Sequence, residues 1–276
     1  MTQITASEVN RLRQESGAGM MDCKNALVEA DGDFVKATDL LRKQGQKIAA
    51  KRGAREANEG YIIAKTSEDG TKGIILTLNC ETDFVARTED FQGYANTIAN
   101  TALANEVESI DGLKAAQANG STVEEGITAM SGTIGEKIEL AQYEVIESEL
   151  VVAYNHPGNR LATIIGLNKV GESIVEVGKN VSMQIAAMNP VAIDKEDVDQ
   201  GIIDREIEIG KEQARESGKP AEMLEKIAMG KLGKYFKENT LLNQAYVRDN
   251  KKTIRQYLEE TDSDLKVTSY NRLELG

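Results

Sequence analysis

A chain of 276 residues exceeds one average domain, so two or more compact units are expected, and 40% hydrophobic with 28% charged residues is an ordinary globular balance. The net charge of −12 argues against a nucleic-acid grip, which needs concentrated Lys and Arg to neutralise phosphates, and fits a protein that seeks a chosen protein partner. No apolar stretch approaches the ~20 residues that span a bilayer, Met1-Thr2-Gln3 opens no signal peptide, and the two distant cysteines, Cys23 and Cys80, fit free thiols in a reduced, cytoplasmic setting.

Thr5 and Glu8 form a capping-box pattern, with Ile4 and Val9 at the staple positions either side of it. Val9 and Leu12 then mark an inward stripe, and Gly17-Ala18-Gly19 ends a first helix. A second helix is expected over about Met21 to Ala30. Asp31-Gly32-Asp33 turns the chain, and Asp33 is placed to cap a third helix through Phe34, Ala37 and Leu41, closed by Gly45. These three helices make a small bundle. The segment from Lys43 to Arg55 carries five cations and few large apolar residues, and reads as a partly helical linker.

A different grammar follows. Tyr61 to Lys65 and Gly73 to Asn79 are expected as strands joined by a turn at Asp69-Gly70, with Ile74, Leu76 and Leu78 on one face of the second and Ile75 and Thr77 on the other. Helices are expected over Glu89 to Ala104 and Val123 to Met130, then a strand over Lys137 to Glu147. The pattern begins again at Leu150 to Tyr154, turns at His156-Pro157-Gly158-Asn159, and continues with a strand from Leu161 to Asn168 and a helix from Val177 to Met188. Ile75-Leu76-Thr77-Leu78-Asn79 and Ile164-Ile165-Gly166-Leu167-Asn168 occupy the same place in each unit, which suggests a duplicated α/β half. Ile203 to Arg215 and Met223 to Phe236 read as a helical hairpin about Ser217-Gly218-Lys219-Pro220, and a short helix and a strand from Leu265 to Leu273 finish the chain.

Catalytic and cofactor motifs are missing. One histidine, His156, excludes His-based metal clusters, and neither cysteine has a Cys or His nearby in sequence to activate it. Gly17-Ala18-Gly19 lacks the third glycine and the preceding strand of a dinucleotide fingerprint, and no phosphate-binding GxxxxGK[ST] occurs. No catalytic residue, metal or cofactor is therefore assigned. Phe84, one of only four phenylalanines, stands just past a strand; by physics alone a scarce aromatic there belongs in its own core.

Two runs bear on identity. Arg11-Leu12-Arg13 with Ser16-Gly17-Ala18-Gly19-Met20-Met21-Asp22-Cys23-Lys24-Asn25-Ala26-Leu27 resembles the N-terminal signature of the elongation factor Ts family, and Asn79-Cys80-Glu81-Thr82-Asp83-Phe84-Val85-Ala86-Arg87 resembles its second signature. Ile134-Gly135-Glu136, Tyr154-Asn155-His156-Pro157-Gly158 and Leu241-Leu242-Asn243-Gln244 extend the resemblance over nearly the whole chain. It implies an α+β fold: a three-helix ubiquitin-associated-like unit with linker over 1–55, a duplicated α/β core over 56–148 and 149–276, and a projecting helical hairpin over 202–238.

The resemblance also implies a guanine-nucleotide exchange factor that binds elongation factor Tu in its GDP form and disturbs magnesium and phosphate binding. Thr82, Asp83, Phe84 and Val85 would form the wedge that dislocates the magnesium, with Phe84 at its tip. Arg13, Met20, Met21 and Lys24 would grip the partner's nucleotide domain, one of the two methionines being expected to fill the three-helix core instead. Ile134 and Gly135 would back the wedge, His156 would touch the partner from its turn, and Tyr246 and Val247 would meet a distal domain. The hairpin is a candidate homodimerisation module, and no nucleic-acid or membrane contact is expected. Two other readings stay open: a three-helix module that holds nascent or misfolded chains with the core as scaffold, and an enzyme built on a spatially assembled carboxylate site.

Overall fold

The capping box decides where the first helix begins. In the computed structural model, which describes residues 4–276, Thr5 Oγ1 accepts from the Glu8 amide and the Glu8 carboxylate accepts from the Thr5 amide at 2.7 Å. Helix α1 (Ala6–Ser16) follows, and Gly17 ends it at φ 67°, a left-handed conformation that suits glycine. Helices α2 (Met20–Glu29) and α3 (Phe34–Arg52) complete the bundle, with Asp33 accepting from the Val35 and Lys36 amides as the cap of α3. Val9, Leu12, Cys23, Ala26, Leu27 and Ala37 form its core, with Ile4 and Phe34 packed at the rim. The opening tripeptide Met1-Thr2-Gln3 lies outside the described residues.

One expectation fails here. Gly45 does not end the third helix, because α3 runs on to Arg52, which makes most of the segment from Lys43 to Arg55 helical. Gly45 is instead buried against Gly132 of a later helix: a Cβ built on it would stand 3.4 Å from the Gly132 Cα, and one on Gly132 would overlap the Gly45 backbone. Glycine inside a helix costs about 1 kcal/mol relative to alanine, and here the pair permits a close helix crossing that a side chain on Gly132 would hold apart.

The next segments are β1 (Glu59–Thr66), β2 (Lys72–Cys80), the single turn α4 (Asp83–Ala86), α5 (Glu89–Ala104), α6 (Ile110–Ala115), the short hairpin β3 (Gln117–Ala118) and β4 (Ser121–Thr122), α7 (Val123–Ile134) and β5 (Ile138–Glu147). After them come β6 (Leu150–Asn155), β7 (Leu161–Leu167), α8 (Glu172–Met188), α9 (Gln200–Glu216), α10 (Leu224–Asn239), β8 (Ala245–Tyr246), β9 (Asp249–Thr253), α11 (Ile254–Thr261) and β10 (Val267–Glu274). Helix α8 starts five residues before the expected Val177, because its N-cap, Gly171, offers no side-chain cap to read in the sequence. The fold is α+β.

Two three-stranded antiparallel sheets share one topology. In each, the second strand of a hairpin is central and the strand that follows the helices pairs on its far side, giving β1-β2-β5 and β6-β7-β10. Both faces of the central strands are covered, which is why β2 and β7 read as near-continuous apolar runs. The sheets meet through Ile62, Ala64, Ile75 and Ile146 of the first and Val151, Ala162, Ile164 and Leu273 of the second. Helices α5 and α7 cover the outer face of the first sheet, around Ile74, Leu76, Leu78, Phe91 and Ile98, and α8 and α11 cover the second, around Ile165, Leu167, Val181 and Leu258. The result is a helix, sheet, sheet, helix stack.

The free edge of β1 is closed by side-chain amides rather than by a strand. Asn155 bonds both the amide and the carbonyl of Ala64, at 2.8 and 2.9 Å, and Asn159 bonds Ile62 through its backbone carbonyl and side chain. These contacts satisfy edge groups that would otherwise invite another chain. Helices α9 and α10 pack on each other with Gly210 against Ala228 and form a hairpin away from both sheets.

Candidate partner-binding site

At the end of β2 the chain leaves the sheet and exposes an aromatic ring. Phe84 is 80% exposed, while Val85 is half-buried against the core and Ala86 is buried within it. Phe84 is therefore not the core plug that its scarcity suggests. Thr82 caps the short turn, accepting from the Val85 amide at 3.5 Å, and Asp83 pairs with Arg87 at 2.9 Å. Cys80 donates its thiol to the Thr82 carbonyl from below, and burial pushes that thiol up to about 12, so it acts as an anchor rather than a reactive group.

The turn is held from across the fold. Helix α7 ends at Gly135, whose φ of 80° lets the chain reverse so that Glu136 faces Thr82. The Glu136 carboxylate accepts from the Thr82 amide at 3.0 Å and from its hydroxyl at 2.7 Å. In return, Glu81 accepts from the Lys137 amide at 2.7 Å, and also from Arg52 and Arg55 at 3.1 Å. The Lys137 amide, together with Arg55 and Arg52 and against the opposing pull of burial, holds the Glu81 carboxyl below the usual glutamate range.

The expected N-terminal grip is close by. Arg13, Met20, Met21 and Lys24 are all exposed, Met20 at 51% and Met21 at 63%. Neither methionine fills the three-helix core, contrary to expectation; Cys23, Ala26 and Leu27 occupy the inward positions of α2. Gly17, in the turn leading into α2, stands so near the last turn of α7 that a Cβ on it would lie 3.6 Å from Thr133. Ile134 is half-buried on the core beside this junction. The end of α7 thus joins the N-terminal unit to the Phe84 turn.

His156 is exposed, with Tyr154 Oη 2.9 Å from its Nδ1. Its turn runs along the Glu59 end of β1, through Asn159 to Ile62 and an Arg160–Glu59 ion pair, and Glu59 pairs with Cys80, so the turn shares the sheet end from which Thr82 emerges. Tyr246 is 5% exposed and stacks on Tyr257 at 4.5 Å, so it offers a partner no side-chain face; Val247, its neighbour, is 50% exposed. The Val247 amide donates to the buried Gln184 of α8, which places Val247 on the outer layer of the second half, apart from the Phe84 cluster.

No group of three or more His, Cys, Asp or Glu fit to hold a metal occurs among the described residues, nor is any of their helices long and apolar enough to cross a membrane. A family model described as Elongation factor TS matches residues 81–276, starting on Glu81. Elongation factor Ts of Christiangramia forsetii is 52% identical over 276 residues, covering all of both chains. The chain belongs to the elongation factor Ts family. Elongation factor Ts of Amoebophilus asiaticus is 49% identical over 274 residues, covering 99% of each chain, and that of Porphyromonas gingivalis is 46% identical over 274 residues, covering 99% of this chain and 98% of its own.

The matched family region omits α1 to α3, but the elongation factor Ts relatives align over them as well. The sequence alone assigns no role to Glu81, Glu136 or Gln184. Glu81 and Glu136 stand inside runs that carry the family resemblance, which is the signal that marks them, but the Glu136–Thr82 and Glu81–Lys137 contacts span 54 and 56 residues and have no local pattern.

Proposed function

We propose that this chain is a guanine-nucleotide exchange factor that binds elongation factor Tu in its GDP form and promotes GDP release for replacement by GTP. The observation that carries the reading is Phe84, an exposed aromatic on a turn fixed by hydrogen bonds at its base. Fixing the backbone that carries a large apolar side chain before contact reduces the ordering cost of inserting it into a partner.

The physical task is to weaken a nucleotide held by backbone amides and by a magnesium ion bridging its phosphates. Binding is reciprocal: a factor that favours the empty GTPase weakens GDP by the same ratio that GDP weakens the factor. No bond is made or broken, so no acid, base, nucleophile or cofactor is required. In this reading Thr82, Asp83, Phe84 and Val85 form the wedge toward the magnesium site, and Ile134 and Gly135 back it. Arg13, Met20, Met21 and Lys24 grip the nucleotide domain, the methionines supplying a conforming surface. His156 adds a contact at the same sheet end, and Val247, backed by Tyr246, meets a second part of the partner.

The unit divisions at 1–55, 56–148 and 149–276, the ubiquitin-associated-like reading of α1 to α3, and homodimerisation through 202–238 belong to this proposal, as do a cytoplasmic setting and the lack of nucleic-acid or membrane contact. The test is release of fluorescent GDP from elongation factor Tu with and without the full chain. Acceleration at micromolar factor is expected, and an unchanged release rate overturns the reading.

A further inference from the structure

Residues 81–82 and 136–137 exchange carboxylates. Glu81 reaches from the first segment to the Lys137 amide of the second, and Glu136 reaches from the second to the Thr82 amide and hydroxyl of the first. The Thr82 hydroxyl has one proton. Donating it to Glu136 turns the oxygen lone pairs toward the Val85 amide, so Glu136 orients the cap of the turn that bears Phe84. Both oxygens of the Glu136 carboxylate are engaged on this turn, one by the Thr82 amide and one by its hydroxyl. Glu81 is different: its side chain is 12% exposed and draws in Arg52, the last residue of α3, and Arg55 just beyond it.

We propose that Glu81 and Glu136 are positioning residues for Phe84, Glu136 fixing the turn and Glu81 tying it to α3 so that the three-helix unit and the Phe84 turn move as one body. The proposal rests on the exchange reading above and adds how its two contact regions are held in register. The α3–α7 crossing at Gly45 and Gly132 supports the same body from the other side, because α7 leads directly into Gly135 and Glu136. A ring presented at a fixed angle acts on the partner's magnesium site only if that angle is set relative to the grip, and the Arg52–Glu81–Lys137 chain of contacts spans that interval.

Stopped-flow release of fluorescent GDP from elongation factor Tu tests this with the full-length chain. Glu136→Ala is expected to lower the maximal release rate about tenfold while the half-saturating factor concentration moves less than about threefold. Arg52→Ala combined with Arg55→Ala changes the rate in the same direction by less. In a Phe84→Ala background Glu136→Ala adds less than about a twofold loss, since it acts through the ring. Hydrogen exchange on the free protein supplies a readout without the partner: the Thr82 amide loses protection in Glu136→Ala while the amides of β2 keep theirs.

An equal further loss in the Phe84→Ala background overturns the proposal, as does an undiminished rate with the Thr82 amide unprotected. If Glu136→Ala does not fold, Thr82→Ser against Thr82→Val makes the same comparison, and equal rates for the two overturn it. A wild-type chain that releases no GDP overturns the exchange reading itself, a result separate from wild-type activity with unaffected variants.

Discussion

Phe84 and Tyr246 show how neighbouring context assigns opposite fates to two aromatics. Tyr246 stacks on Tyr257 inside a cluster with Leu258 and Val181, whereas Phe84 stands on a one-turn helix whose inward positions are taken by Val85 and Ala86. Removing an exposed ring leaves little for the fold to lose, so Phe84→Ala is expected to keep its thermal stability within about 0.5 kcal/mol. The same variant is expected to slow GDP release at least about tenfold, as truncation of an anchoring aromatic does. Calorimetry and release kinetics on one preparation check both, and unfolding with lost activity would return Phe84 to a core role. Glu81 gives a pH prediction. Its folded carboxyl titrates below the usual 4.5, so its stabilisation is complete above 4.5 and is lost as pH falls through the depressed folded value. Glu81→Gln is expected to flatten that part of the acid unfolding curve, measured by circular dichroism.

Among the elements, α3 and α7 carry the most consequence. Their crossing depends on two glycines with no side chain between the helices. Gly132→Leu forces the helices apart, with an expected cost of about 1–3 kcal/mol and early hydrogen exchange in α3 relative to β2. Unchanged protection in α3 would show that the contact contributes little. The capping box of α7, where Thr122 and Glu125 exchange bonds at 3.1 and 2.9 Å, sets the start of that helix. Thr122→Ala is expected to cost about 1 kcal/mol in thermal unfolding. Both changes are far from Phe84 in sequence yet bear on the turn that Glu136 holds. Most of the elements were legible from caps, turns and periodicity: the box at Thr5, the Asp33 cap, the two-faced β2 and the hairpin at Ser217-Gly218 all have local signatures. The extension of α3 through Gly45 was not legible because glycine is a local stop signal whose meaning only a close neighbour reverses, and the early start of α8 was not because Gly171 has no side chain to cap it.

At the scale of the whole molecule, the exposed candidates fall into two groups. Phe84, the α2 methionines and the His156 turn gather around the α7 junction and the sheet end at Cys80, while Val247 is held by Gln184 on the outer layer of the other half. These groups share no bonding partner, so their effects are expected to add. Val247→Asp raises the half-saturating factor concentration and leaves the maximal GDP release rate unchanged, and combining it with Phe84→Ala gives the sum of the two effects in free energy to within about 0.5 kcal/mol. A strong departure from additivity would mean that the two groups are coupled through the sheets.

The sequence by itself determined the local grammar and the family: caps, turns and strand faces are set by residues within a few positions of one another, and the two signature runs are contiguous. Only the tertiary structure decided which apolar residues point outward, since burial depends on what the rest of the chain brings to each position. It turned Met20, Met21 and Phe84 to the surface and Tyr246 to the core. It also paired Glu136 with Thr82 and Glu81 with Arg52 and Lys137, contacts made across tens of residues where spacing in the chain carries no information.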